Sequence, residues 1–242
     1  MPRLVIRTPL YLLPILLAPT LAGAASPRLE DCVADALRDL QAAVTITRLD
    51  APALEQVSRD LVTLFRMKNV TVRFREPGKL RAENRIGLFI ANGPTIYYRV
   101  PALGLKRRED LGAAQSRRYG LIDVGVITKR FLEAVTATYL RTETVGDAQL
   151  EVFDVRGKTD AGARCTLWID PIRRILARRE PLDATGKPRG TFLYQKPREV
   201  SPGIWLPTRV EIRTAAGAVG AVVDYSDIRA NTDIADSLFA IP

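Results

Sequence analysis

Few residues in this chain could carry covalent chemistry. It contains no histidine, so it has neither an imidazole base nor an imidazole metal ligand. A serine or cysteine nucleophile would need lysine or a carboxylate as its base, and neither Ser-x-x-Lys nor Gly-x-Ser-x-Gly occurs. Carboxylates approach each other at Glu109 and Asp110 and at Asp224 and Asp227, the raw material of a glycosidase pair, but their setting reads as surface charge. Gly217-Ala218-Val219-Gly220 falls between strand patterns rather than ahead of a helix, so it is no phosphate cradle. Scattered carboxylates and two distant cysteines give no metal-ligand spacing. The expectation is a non-enzyme, without cofactor or metal, that works by binding.

The cysteines suggest a structural role. Cys32 falls beside Leu29 and Val33 on an apolar face, and Cys165 alternates in register with Leu167 and Ile169, so both are expected to face one core. Two outcomes fit. In an oxidising compartment they form a disulfide, worth about 5 kcal/mol at most by loop entropy; otherwise they are two buried thiols acting as small hydrophobes.

The N-terminus speaks to the compartment. Arg3 and Arg7 precede an apolar run from Leu10 to Leu21 broken by Pro14 and Pro19, and Ala22-Gly23-Ala24 follows. This is the pattern of a secretory signal peptide over residues 1–24, cleaved after Ala24 or Ala25, and the run is shorter than the roughly 20 residues that span a bilayer. The whole chain has 242 residues and a net charge of +9; cleavage after Ala24 leaves +7 on 218 residues. An exported basic protein meets lipid, envelope polymers and other secreted proteins rather than nucleic acid, unless the charge is only a solvated surface with no binding role.

A single domain over residues 25–242 is expected from the patterns that follow. Leu29, Val33, Leu37 and Leu40 recur at helical spacing behind Ser26-Pro27, and Leu54, Val57, Leu61, Leu64 and Phe65 form a second apolar stripe. The period then becomes two. Strands are expected at 69–75, 80–84, 86–91, 95–100, 149–155, 163–169, 174–180, 190–196, 204–213 and 218–228, separated by turn chemistry such as Asn92-Gly93-Pro94 and Asp183-Ala184-Thr185-Gly186. A helical insertion near 104–136 breaks the series. There Val124, Ile127, Phe131 and Val135 share a face behind Asp123 as cap, and Lys106–Arg118 reads as a basic loop or marginal helix. The fold class is α+β: a large antiparallel sheet of about ten strands, which tends to curl, covered by helices. Periodicity alone favours a packed core over an apolar cavity, because filling with side chains is the default.

Several phrases taken in order resemble the LolA/LolB-like superfamily of outer-membrane lipoprotein-sorting proteins. They are Trp168-Ile169-Asp170-Pro171 with the following strand and Asp183-Ala184-Thr185-Gly186, then Gly203-Ile204-Trp205-Leu206-Pro207-Thr208, then the ending from Tyr225-Ser226-Asp227 through Asn231 to Ser237-Leu238-Phe239 and Pro242. Val72–Leu80 and Asn92–Tyr98 fit the first strands of that pattern. The resemblance implies a half-open β-barrel lidded by helices, with a cavity that shields acyl chains. It implies a monomeric periplasmic carrier that passes acylated lipoprotein or lipid cargo between donor and acceptor envelope proteins toward the outer membrane. The alternative is an envelope sensor or accessory module that binds a protein partner on its concave sheet. The insertion and the basic loop depart from the founding carrier's pattern.

The carrier expectation names a lipid-binding surface. Val72, Phe74, Leu88, Ile90, Tyr98, Val152, Leu167 and Val210 would line the strand face, and Leu61, Phe65, Ile127 and Phe131 would close the other side. Each methylene buried there is worth about 0.8 kcal/mol, so a chain can be held without polar chemistry. Lys106-Arg107-Arg108, Arg117-Arg118, Arg173-Arg174 and Arg178-Arg179 are candidates for docking an anionic membrane surface or acidic partners, with Arg178 and Arg179 on opposite faces of their strand.

Overall fold

A computed structural model describes residues 26–110, 121–159 and 163–242. The expected signal peptide lies outside the described residues. Among those described, thirteen strands make one antiparallel sheet. They are β1 (Asp39–Leu49), β2 (Asn69–Arg75), β3 (Lys79–Glu83), β4 (Leu88–Asn92), β5 (Thr95–Val100), β6 (Leu105–Asp110), β7 (Val135–Val145), β8 (Ala148–Gly157), β9 (Arg164–Asp170), β10 (Ile175–Leu182), β11 (Gly190–Ser201), β12 (Ile204–Thr214) and β13 (Val219–Ala230).

Their spatial order is β6-β5-β4-β3-β2-β1-β13-β12-β11-β10-β9-β8-β7. Every neighbour is consecutive in sequence except β1 and β13, which pair at the centre of the sheet. The sheet does not close, and β6 and β7 are its two edges. A sheet this wide curls because adjacent strands twist, which gives the expected half-barrel. Residues 121–134 belong to the connection between the two edge strands, and Ile127, Phe131 and Leu132 among them pack against the core of the sheet. Helices α1 (Ala51–Val57) and α2 (Arg59–Phe65) connect β1 to β2, and α3 (Lys129–Ala134) leads into β7.

Local chemistry sets these boundaries. Asp50 caps α1 by accepting from Ala53 N at 3.1 Å, with Pro52 in the first turn. The stripe from Leu54 to Phe65, expected as one helix, breaks at extended Ser58. Thr128 rather than Asp123 caps the third helix, accepting from Phe131 N at 3.3 Å. The expected helix from Asp123 to Val135 is therefore a 3₁₀ turn (Leu121–Val124), an extended bridge and α3. The break is at Gly125, whose φ of +88° only glycine adopts freely. A Cβ there would also lie 2.6 Å from Pro207 and 2.8 Å from Tyr194. Beyond it Val126 pairs with Ile175 of β10.

Other boundaries differ for similar reasons. The first expected helix is only a 3₁₀ turn, Leu29–Cys32; Val33 is extended, Ala34 N donates to Ile127 O at 3.1 Å, and the chain turns at Asp35 and Ala36 before β1. Its apolar set is nonetheless buried as expected, since Leu29, Val33, Leu37 and Leu40 all lie in the core. Lys106–Asp110 of the expected basic loop belongs to edge strand β6, and the rest of that loop lies outside the described residues.

The C-terminal segment straps the outer face of the β2–β4 wing. Asp39 accepts from the backbone N–H groups of Thr232 and Asp233 at 2.8 and 3.0 Å, and Asn231 bridges to Arg38 N and Ala36 O. A final 3₁₀ turn, Asp236–Phe239, lies on β3 and β4. There Lys79 pairs with Asp236 at 2.7 Å, Arg81 donates to Leu238 O and Asn92 to Phe239 O, while Phe239 is fully buried.

Candidate functional site

Cross-strand partners in an antiparallel pair point to the same face, so the register sorts the candidate residues. One row runs Ala42, Val72, Ala82, Phe89, Tyr98 and Arg107 across β1 to β6. The next row on that face is Leu40, Phe74, Leu80, Ala91 and Ile96. Past the centre the same face continues through Tyr225, Val223, Val210 and Tyr194, then Ile212 and Phe192, and on to Arg179, Leu167 and Phe153. This is the concave face. Leu54 and Val57 of α1 and Ile127 pack into its core, with Leu61, Phe65 and Phe131 partly buried against it.

Five of the eight expected strand residues share this face: Val72, Phe74, Tyr98, Leu167 and Val210. Leu88, Ile90 and Val152 do not. Leu88 pairs with Glu83 and Ile90 with Arg81, whose partners are Thr71 and Arg73, on the opposite side from Val72. Val152 pairs with Trp168 and clusters with it and Leu150 away from the concave core. The reason is that β4 and β8 are apolar on both faces, so alternation cannot assign the phase, and one residue of slip exchanges faces. Both outer sites are covered. The C-terminal strap lies over the wing that holds Ile90, and Arg178 lies 4.5 Å above the Trp168 ring, whose Nε1 donates to Glu143.

Within the concave face the residues divide by accessibility. Phe74, Ile127, Leu167 and Val210 are core, whereas Val72, Leu80, Phe89 and Tyr98 in the β2–β5 wing remain partly accessible. A cleft of 560 Å³ opens at the β2–β3 end, lined by Leu37, Glu76, Pro77, Thr128, Arg130 and Glu133 among others. Burial raises the Glu76 carboxyl above its ordinary range, against the hydrogen bond from Thr128. Its Oε1 is buried without a hydrogen-bond partner.

A buried charged group interrupts the core of this apolar surface. Arg179 points into the concavity, its guanidinium stacked 4.1 Å from the Phe192 centroid and paired with Asp123 at 2.6 Å. Its side chain is 13% exposed and that of Asp123 49%. The Nε of Arg179 is buried without a partner. Burial disfavours the cation, but Tyr194, Asp123 and Cys165 more than offset this and its affinity for the proton is raised. Tyr194 and Tyr225 are neighbours in the same field, and burial drives both phenols well above their ordinary range. The expected docking role therefore does not extend to Arg179, and Arg178 does lie on the opposite face. Arg173 stacks on Trp205 and pairs with Asp170 at 2.6 Å, and Arg174 reaches Val33 O. Lys106, Arg107 and Arg108 line exposed β6, and Arg117 and Arg118 lie outside the described residues. Sequence reasoning misses the Arg179 cluster; its signal is an arginine and a tyrosine at apolar phases of β10 and β11.

The cysteines meet the same core but are not bonded. The Cys32 thiol is directed at Glu151 Oε2, 3.4 Å away, and Cys165 lies in the field of Arg179 and Asp154. Burial raises the thiols to about 12 and about 11 respectively. The carboxylates first considered for catalysis are engaged elsewhere. Asp224 pairs with Arg209 and accepts from Thr47, and Glu109 pairs with Arg107.

The curled antiparallel sheet, with helices on its concave face, is a fold shared with solved structures that include a LolA superfamily protein. The solved structures that share it are distant in sequence. A DUF1329 family protein from Desulfovibrio piger superposes with a TM-score of 0.58 at 14% identity, over 88% of this chain and 93% of that one. A putative outer membrane lipoprotein-sorting protein domain from Vibrio parahaemolyticus gives 0.58 at 12% identity, over 87% and 92%. A LolA superfamily protein from Nitrosomonas europaea gives 0.55 at 16%, over 88% and 94%. In sequence, residues 122–241 match a family described as "Uncharacterized protein". No curated protein matches by sequence. Among the described residues no helix is long and apolar enough to cross a membrane.

Proposed function

We propose that residues 25–242 act as one periplasmic carrier of amphiphiles, holding acyl chains on the concave face and passing them between envelope partners. The observation that carries this reading is the partly accessible apolar row Val72-Phe89-Tyr98, on a sheet of the fold found in lipoprotein-sorting structures. Apolar surface left accessible inside a concavity binds chains without catalytic residues, at about 0.8 kcal/mol per methylene. Transfer then needs only an acceptor that binds the same chain better. Lys106, Arg107 and Arg108, exposed on β6, would meet an anionic membrane or acidic partner.

The test is native mass spectrometry and lipid extraction of the protein purified from the periplasm. Copurifying acylated molecules, released on denaturation, support the carrier. An empty protein that captures one protein partner supports a binding module instead.

A further inference from the structure

A surface that holds only hydrocarbon has no use for a buried guanidinium. Burying a charge is costly unless partners satisfy it, yet Arg179 sits on the apolar phase of β10, between Leu167 of β9 and Phe192 of β11. Its Nη2 donates to Asp123 Oδ1, and its Nε has no partner. The Phe192 ring centroid lies 4.1 Å from the guanidinium carbon, and a planar guanidinium can present two donors on one edge to two oxygens of one anion. The carboxylate now at this edge is the most exposed member of the cluster and hangs from a short 3₁₀ turn, Leu121–Val124. Behind that turn the chain is fixed, because Leu176 N donates to Gly125 O at 2.9 Å and Gly125 packs on Tyr194 and Pro207. Asp123 can thus leave the guanidinium without disturbing the core, and the Tyr194 and Tyr225 side chains lie in the same field.

We infer that Arg179 is a head-group subsite on the concave face: it binds a carboxylate or phosphate attached to an acyl chain, and the Asp123 carboxylate occupies this position when no ligand is bound. This rests on the carrier reading and narrows it to anionic amphiphiles. Neutral acyl chains would occupy the same apolar face without engaging Arg179.

The probes are palmitate, 1-palmitoyl lysophosphatidate and the uncharged hexadecanol, measured at pH 8 by displacement of N-phenyl-1-naphthylamine from the full mature chain. The wild type should prefer the anions to hexadecanol. A charge-assisted, two-point contact predicts that Arg179→Met lowers this preference by about 10- to 100-fold. Arg178→Met, on the opposite face, should leave it unchanged. Asp123→Asn removes the internal competitor and should raise the preference; being at an exposed position, it keeps the test open if Arg179→Met does not fold. Preference for palmitate or for lysophosphatidate assigns the carboxylate or the phosphate as the natural head. Inorganic phosphate displacing the probe as well as lysophosphatidate does would overturn the acyl-linked assignment. Equal binding of anions and hexadecanol, or a preference unmoved by Arg179→Met and Asp123→Asn, overturns the subsite and leaves the carrier standing. Failure of all three amphiphiles to bind overturns the carrier itself.

Discussion

Val72 and Leu88 lie in one wing of the sheet, both half-buried and both expected from sequence on one surface, but the register places them on opposite faces. Changing each to aspartate separates cargo wall from outer surface. In the empty protein each new carboxylate keeps access to water, so the two stability costs should be similar, about 1 kcal/mol for half of a buried aliphatic side chain. With an acyl chain laid along the Val72-Phe89-Tyr98 row, the carboxylate introduced by Val72→Asp would be covered. It must then be protonated or desolvated. Protonating an ordinary aspartate at pH 7 costs about 4 kcal/mol, from about three pH units at 1.36 kcal/mol each. Affinity of Val72→Asp for an uncharged chain should therefore fall by up to about 1000-fold at pH 7, and recover about tenfold for each unit of acidification toward pH 4. Hexadecanol is the right ligand because it does not titrate, with thermal unfolding as the check on folding. Leu88→Asp should bind like the wild type at every pH. Equal weakening by both substitutions, or a Val72→Asp defect that does not change with pH, would refute the placement of cargo on this face.

Other consequences follow from the packing and the titrating groups. Phe239→Ala empties a fully buried site under the C-terminal strap and should cost about 3–5 kcal/mol in urea unfolding; a loss below about 1 kcal/mol would mean that the strap does not contribute to the core. Because the Glu76 carboxyl is raised, chiefly by burial, the folded state holds its proton to higher pH than the unfolded chain, so this group favours folding less as pH rises through the carboxylate range. Glu76→Gln should thus gain stability relative to the wild type above pH 4.5 and lose that gain below it, read from denaturation midpoints at several pH values. The thiols of Cys32 and Cys165, raised to about 12 and about 11, should alkylate slowly in the folded protein at pH 8. Alkylation after unfolding without reductant should modify both, and a mass showing neither modified would contradict the free thiols.

Much of the architecture is legible in sequence because period-two patterning and turn chemistry are local. All ten expected strands are present, and the phrases around Trp168 and Trp205 point to the right fold. Three further strands escape a sequence reading for separate causes. β1 carries Leu40, Ala42, Val44 and Ile46 in alternation, but Leu40 also completes a helical spacing with Leu37, and burial satisfies both readings. β7 is an edge strand whose apolar alternation, Val135-Ala137-Tyr139, is short and continues the helical stripe that ends at Val135, and the rest of the strand is mostly exposed. In β6 the Lys106–Asp110 run is charged throughout, so only its pairing with β5 makes it a strand. The candidate site is less legible. Membership of an apolar strand can be read from composition, but the facing of Leu88, Ile90 and Val152 depends on long-range register. The Arg179–Asp123 pair joins residues 56 positions apart, a contact that no local pattern encodes.

The central claim is that acyl chains lie on the concave wing, and photo-crosslinking with a diazirine fatty acid reads this directly. Peptide mapping after irradiation should place adducts on Val72, Phe89 and Tyr98, and competition by unlabelled palmitate should remove them. Adducts on Leu88, Ile90, Leu150 or Val152, or labelling that palmitate does not compete away, would contradict it.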